Sequence, residues 1–192
     1  MISTDRTRER ILNAATQLFL QQGIKKTSMA DVAGHAGLTR MTVYRYFDDR
    51  KSLAQSVFDA FLDVLKQAEE RLQQDSDPKI EHYVDQIGTA LMALPAGDFP
   101  ALLRELSLVY PDIWTAYEEG RKASIIAIFT RLLSSSSVRL RPGLQPEIVQ
   151  AYFTTAVVNV LSSRDLSAGG LSAGQVFDTV RTIFLYGVLQ DD

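Results

Sequence analysis

The chain has 192 residues, 46% of them hydrophobic, a net charge of −3 and no cysteine. That length accommodates one domain or two small ones with a real core, and the missing thiols exclude disulfides, cysteine catalysis and cysteine-ligated zinc. No apolar run approaches the roughly 20 residues that span a bilayer, and the opening MISTDRTRER lacks the apolar centre of a secretory signal, so a cytoplasmic protein without a membrane partner is expected.

Residues 6–22 read as a helix with Ile11, Leu12, Ala15, Leu18 and Phe19 on one face and Gly23 as its stop. Ser28 then caps a second helix, with Asp31 three residues on in the S-x-x-D pattern. Val32, Ala33 and Ala36 give it a small apolar face, and Gly37 is free to adopt the left-handed conformation that ends a helix sharply. Thr39 caps a third helix that turns Val43 and Phe47 inward and carries Arg40, Thr42, Tyr44 and Arg45 on its other side. Small residues before the turn allow close approach. This is the build of a helix-turn-helix, whose second helix lies in the DNA major groove.

Asp48 and Asp49 cap a long helix over 50–74, apolar at Leu53, Val57, Phe58, Phe61, Leu62 and Leu65 and joined to the head without a linker. A break at 73–78 precedes a helix opening at Pro78 with Tyr83, Val84, Ile87 and Leu91 on it. Asp98 caps a short helix through Leu108. Pro111 opens another to about Leu133, striped with Trp114, Tyr117, Arg121, Ile125, Ile128 and Leu132. Pro146 starts a helix with Ile148, Val149, Tyr152, Phe153, Val157, Val160 and Leu161. Ser172 and Gln175 box the last one, lined by Val176, Phe177, Val180, Ile183, Phe184 and Val188. No segment alternates as a strand does, so the expected fold is all-α with about nine helices, divided into a head at 1–52 and a body at 53–192.

Charge follows the same division. Through Lys51, nine Lys or Arg stand against five Asp or Glu, a balance of +4; the rest holds 11 against 18, a balance of −7. A basic start on an acidic body marks one end for a polyanion. Catalytic readings fail: His35 and His82 lack ligand spacing, Gly169 and Gly174 follow no strand and precede Gln175 rather than Lys, and the acid pairs Glu69-Glu70 and Glu118-Glu119 read as solvated helix surface. No catalytic residue, metal site or cofactor is expected.

The run Val32-Ala33, Ala36-Gly37-Leu38-Thr39, Val43-Tyr44-Arg45-Tyr46-Phe47 and Arg50-Lys51-Ser52-Leu53 resembles the signature of the tetracycline-repressor (TetR) family of bacterial regulators, over about the first quarter of the chain. Met41 departs from it, since the family very often has Gly or Ala there; the longer side chain must either touch a base or be turned aside. The resemblance implies a homodimeric regulator on double-stranded operator DNA. The candidate DNA contacts are Ser28, Thr39, Arg40, Met41, Thr42, Tyr44, Arg45, Tyr46, Arg50 and Lys51, the last two at the positions where the family holds a phosphate. Arg40 can read guanine O6 and N7.

In the body, aromatic and polar groups share stripes. Phe61, Leu65, Tyr83, Gln86, Trp114, Tyr117, Arg121, Tyr152 and Asn159 are candidates to hold a small hydrophobic or acidic effector, the acidic one if Arg121 lies inside. Val157, Val160, Phe177, Val180 and Phe184 are the expected centre of a dimer interface built as a four-helix bundle. The function expected is a ligand-responsive repressor. A DNA-binding activator, a regulator answering to a protein partner, and a helical enzyme or binding protein without a DNA role are the alternatives.

Overall fold

The computed structural model describes residues 2–76, 79, 81–82, 84–85, 98–135, 139–160 and 173–188. Among them are eight α-helices and no β-strand: α1 (Ile2–Gln22), α2 (Met29–His35), α3 (Arg40–Tyr44), α4 (Arg50–Gln74), α5 (Phe99–Val109), α6 (Pro111–Leu133), α7 (Pro146–Val160) and α8 (Ala173–Gly187). The all-α class expected from periodicity is the one observed. The helix expected from Pro78 lies outside the described residues except at 79, 81–82 and 84–85, and its candidates Tyr83 and Gln86 lie outside them too. None of the helices among the described residues is long and apolar enough to cross a membrane.

The chain forms two compact units, Met1–Phe61 with Pro95–Tyr117, and Leu62–Leu94 with Glu118–Asp192. The residues of α4 and α6 therefore divide between the units, and the first unit contains α5 in addition to the head expected at 1–52.

The first unit is organised by the apolar stripe of α1. Ile11, Ala15 and Phe19 are buried, as are Val32 and Ala33 of α2 and Val43 and Phe47 at α3. Leu53, Ala54, Val57 and Phe58 of α4 and Leu102, Leu103 and Leu106 of α5 complete this core. Phe58 meets Phe61 and Tyr117 edge-on at 5.5 and 5.2 Å between centroids, and Phe61 meets Phe99 at 5.4 Å, the perpendicular arrangement that aromatic quadrupoles favour.

The second unit is centred on an aromatic triad, one ring each from α6, α7 and α8. Phe153 lies 4.5 Å from Phe184, edge to face, with Phe129 at 6.2 and 5.3 Å from the two. Leu72, Ile128, Leu132, Val149, Phe177 and Leu185 surround it, with Val180 packed partly buried against the cluster. Arg141 donates from its side chain to the Tyr186 carbonyl and from its backbone to the Val188 carbonyl, both at 2.9 Å, so the loop before α7 is tied to the end of α8.

Candidate nucleic-acid interface

The geometry of the hairpin α2–α3 is fixed by short-range hydrogen bonds that the sequence spacing anticipates. The Ser28 hydroxyl accepts from the Asp31 backbone N–H at 3.1 Å while the Asp31 carboxylate accepts from the Ser28 N–H at 2.8 Å and from its hydroxyl at 2.7 Å. The Ser28 hydroxyl bond, the largest influence, and the Ser28 N–H bond hold the Asp31 carboxyl below its ordinary value. Gly37 has φ 62°, and the N–H groups of Gly37 and Leu38 reach back to the carbonyls of Gly34 and Ala33, closing α2 as a Schellman turn. Thr39 caps α3 by accepting from the Thr42 N–H at 3.2 Å, with the two hydroxyls 2.9 Å apart.

Several candidate contacts are therefore components of the hairpin. Ser28, Thr39 and Thr42 spend their hydroxyls on the caps. Arg10 of α1 donates to the Ala36 carbonyl at 2.6 Å, and the Arg8 guanidinium lies 5.6 Å over the Phe47 ring, so these two cations brace the hairpin. His35 is exposed and bonded to Gln17 at 2.6 Å.

What remains projecting from α3 is a compact set. Arg40, Met41, Tyr44 and Arg45 are exposed, with Met41 at 78%. Tyr46 is half-buried, its ring 5.7 Å from the Arg45 guanidinium.

Arg50 and Lys51, at the start of α4, have partners of their own. Arg50 donates to the Lys25 and Thr27 carbonyls at 2.9 and 3.4 Å, and its Nε lies 3.5 Å from the Tyr110 hydroxyl. Lys51 Nζ lies 2.7 Å from Asp112 Oδ2. That hydrogen-bonded pairing holds the Lys51 ammonium above its ordinary value and the Asp112 carboxyl below its own. Asp49 caps α4 by accepting from the Ser52 N–H at 2.7 Å. Together Ser28, Met29, Tyr44, Asp48, Asp49, Arg50, Lys51 and Tyr110 line an open groove of about 570 Å³ beside α3.

The residues that sequence reasoning missed are in α5, at its C-cap and in the first turn of α6. The Glu105 carboxylate accepts from the Ile24 and Lys25 N–H groups at 2.7 and 2.9 Å, in the turn that Gly23 makes at φ 88°. Tyr110 and Asp112 meet Arg50 and Lys51. These partners are 60 to 81 positions apart in sequence, so no local spacing signals them.

The body candidates fall in both units. In the first, Tyr117 is buried against Phe58, and Phe61 and Trp114 are half-buried. In the second, Leu65 is half-buried, while Tyr152 and Asn159 face solvent, Tyr152 at 62% exposure. Arg121 is inside, but its Nη2 is already 3.0 and 3.1 Å from the two Glu118 oxygens and 3.5 Å from the Val158 carbonyl. Its charge is met within the protein by Glu118.

Of the expected dimer residues, Phe177 and Phe184 are buried in the second unit's own core and Val180 packs against that core. Val157 is half-buried and the Val160 side chain lies outside the described residues. The large apolar residues that α7 and α8 turn outward are instead Ile148, Tyr152, Ile183 and Tyr186, between 49 and 63% exposed.

Residues 11–57 match the family described as bacterial regulatory proteins, tetR family. Over 190 residues, 96% of each chain, the sequence is 22% identical to the HTH-type transcriptional regulator YvaF of Bacillus subtilis. It is 41% identical to the transcriptional repressor BepR of Brucella suis over 51 residues, 27% of this chain and 24% of BepR. The fold matches that of SmeT, the repressor of the Stenotrophomonas maltophilia multidrug efflux pump SmeDEF. In its triclosan complex SmeT superposes with a TM-score of 0.61 at 19% identity, over 97% of this chain and 93% of SmeT. A capped helix-turn-helix with an arginine- and tyrosine-bearing second helix thus stands in the segment, residues 11–57, that matches the tetR family of bacterial regulatory proteins, on an all-helical fold like that of SmeT.

Proposed function

We propose that the chain is a cytoplasmic repressor that holds operator DNA as a homodimer and leaves it when a small, largely apolar, uncharged molecule binds. The observation that carries the DNA-reading part is the division of labour in the first unit. Ser28, Thr39, Thr42, Arg8 and Arg10 are occupied in building the hairpin, whereas Arg40, Met41, Tyr44 and Arg45 project from α3. Arginine suits guanine, a tyrosine hydroxyl suits a phosphate or a base edge, and the second helix of this motif enters the major groove. Lys51, half exposed despite its ion pair, stays within reach of phosphate.

Two further supports concern assembly and control. Neighbouring helices α7 and α8 each leave two large apolar residues in solvent, which a two-fold copy of the same pair would cover. BepR and SmeT are repressors by name, and SmeT is known bound to triclosan, a small molecule. The internal Arg121–Glu118 pair favours an uncharged effector over an acidic one. The continuous helix α4, with Arg50 at its start, is the element through which binding acts on the head.

The experiment is a gel shift with the promoter DNA flanking the chain's own gene, repeated with a panel of small apolar compounds. Trp114, the single tryptophan, reports binding by its fluorescence. A retarded band that a fluorescence-quenching compound releases supports the reading. Compounds that quench Trp114 and leave the band unchanged overturn the control mechanism, and no retardation overturns the repressor.

A further inference from the structure

Met41 is the most exposed apolar side chain of the hairpin. Met29, Val32, Val43 and Phe47 are between 0 and 7% exposed, while Met41 is 78% exposed at the second position of α3. Its neighbours on the helix are committed elsewhere or carry charge. The Thr42 hydroxyl is bonded to Thr39, Arg40 is a cation, and the Arg45 guanidinium rests 5.7 Å from the Tyr46 ring. A thioether is only a weak acceptor and no donor, so hydrogen bonding to a base edge gives it little discrimination. Its unbranched, polarizable chain adapts to an apolar protrusion instead. In the major groove the only such protrusion is the C5-methyl group of thymine. We propose that Met41 is a specificity-determining residue that recognises one thymine methyl in each operator half-site. This rests on the reading that α3 enters the major groove, and it adds a base preference that neither Arg40 nor Tyr44 supplies. On contact the thioether and the methyl leave water together, which makes thymine better than deoxyuridine at that position by the value of one buried methyl.

The test uses the full chain and the duplex it selects from a randomised pool. Each thymine of a half-site is replaced in turn by deoxyuridine, which keeps every hydrogen-bonding group and removes only the methyl. Wild-type protein should lose about three- to fivefold in affinity at one thymine. Met41→Gln, close in size but polar, should bind the thymine and deoxyuridine duplexes equally there, and Met41→Leu should keep the preference. Because Met41 is exposed, these variants leave the core intact, and a far-ultraviolet spectrum confirms it. Discrimination by Met41→Gln equal to that of wild type, a wild type indifferent to every methyl, or a selected site without thymine overturns the assignment. A protein that selects no sequence at all overturns the DNA-binding reading itself.

Discussion

At the level of single side chains, the first unit separates groups that build the hairpin from groups that project from it. Arg40 is exposed and belongs to the second class. Arg40→Ala should cost about 1–3 kcal/mol of discrimination at one base pair and leave the melting temperature unchanged, measured by competition between selected and point-substituted duplexes. Lys51 and Asp112 pair at the start of α4 and α6. Asp112 titrates below its ordinary value because it accepts the Lys51 hydrogen bond. A carboxylate depressed in this way stabilises the fold at pH values above its unfolded value and loses that contribution as the pH falls through the depressed one. Lys51, held above its ordinary value by the same bond, loses that contribution only as the pH rises through its raised value, above the lysine range. The difference in thermal stability between wild type and Asp112→Asn should thus be present at neutral pH and vanish below the ordinary carboxylate range. It should be small, since both side chains are at least half exposed. A difference that persists unchanged in acid would show that Asp112 acts other than as a charge.

At the level of elements, the turn after α1 is locked from a distance. Gly23 adopts φ 88°, and a Cβ there would run into the Glu105 carboxylate. Gly23→Ala should therefore destabilise by more than the roughly 1 kcal/mol of backbone strain alone, whereas Gly37→Ala, whose Cβ would stand 3.4 Å from an Arg10 nitrogen, should show mainly the backbone cost. Glu105→Ala leaves the Ile24 and Lys25 N–H groups without their acceptor, at about 1–3 kcal/mol for a buried group and less for the exposed one, and thermal melts of the three variants rank them. The contrast explains what could be read from sequence. The caps at Ser28 and Thr39 and the turn at Gly37 involve partners three to five residues away, so spacing sufficed. Glu105, Tyr110 and Asp112 act across 60 or more positions, and nothing in their local sequence marks them. The last two helices are a different case. Phe184 and Ile183 are adjacent residues on a helix that is apolar on more than one side, and periodicity does not decide which side meets the chain's own core.

That decision matters for the molecule as a whole, because it places the expected assembly on different side chains. Phe184 sits in the aromatic triad at 2% exposure, so Phe184→Ala should cost about 3–5 kcal/mol and lower the melting temperature of the second unit. Ile183→Glu and Tyr186→Glu, at exposed positions, should leave the fold intact and shift sedimentation from dimer to monomer. Unfolding by the two glutamates, or dimers that survive both, would move the interface elsewhere. The all-α class was legible from helical spacing, and the resemblance of the head to the tetR family from the first quarter of the chain, while the burial of the effector candidates was not. Tyr152 turned out to face solvent and Arg121 to be ion-paired inside, orientations that a stripe of apolar residues leaves open. The central claim, that the side chains projecting from α3 read DNA on a basic head, is tested most directly by titrating the selected duplex and a scrambled one of equal length across a salt series. Log affinity should fall steeply and linearly with log salt for both duplexes, the selected one remaining tighter by at least about a thousandfold, and Arg40→Ala should narrow this gap without changing the slope appreciably. Equal affinity for the two duplexes, or a selective affinity indifferent to Arg40→Ala and to salt, would contradict it.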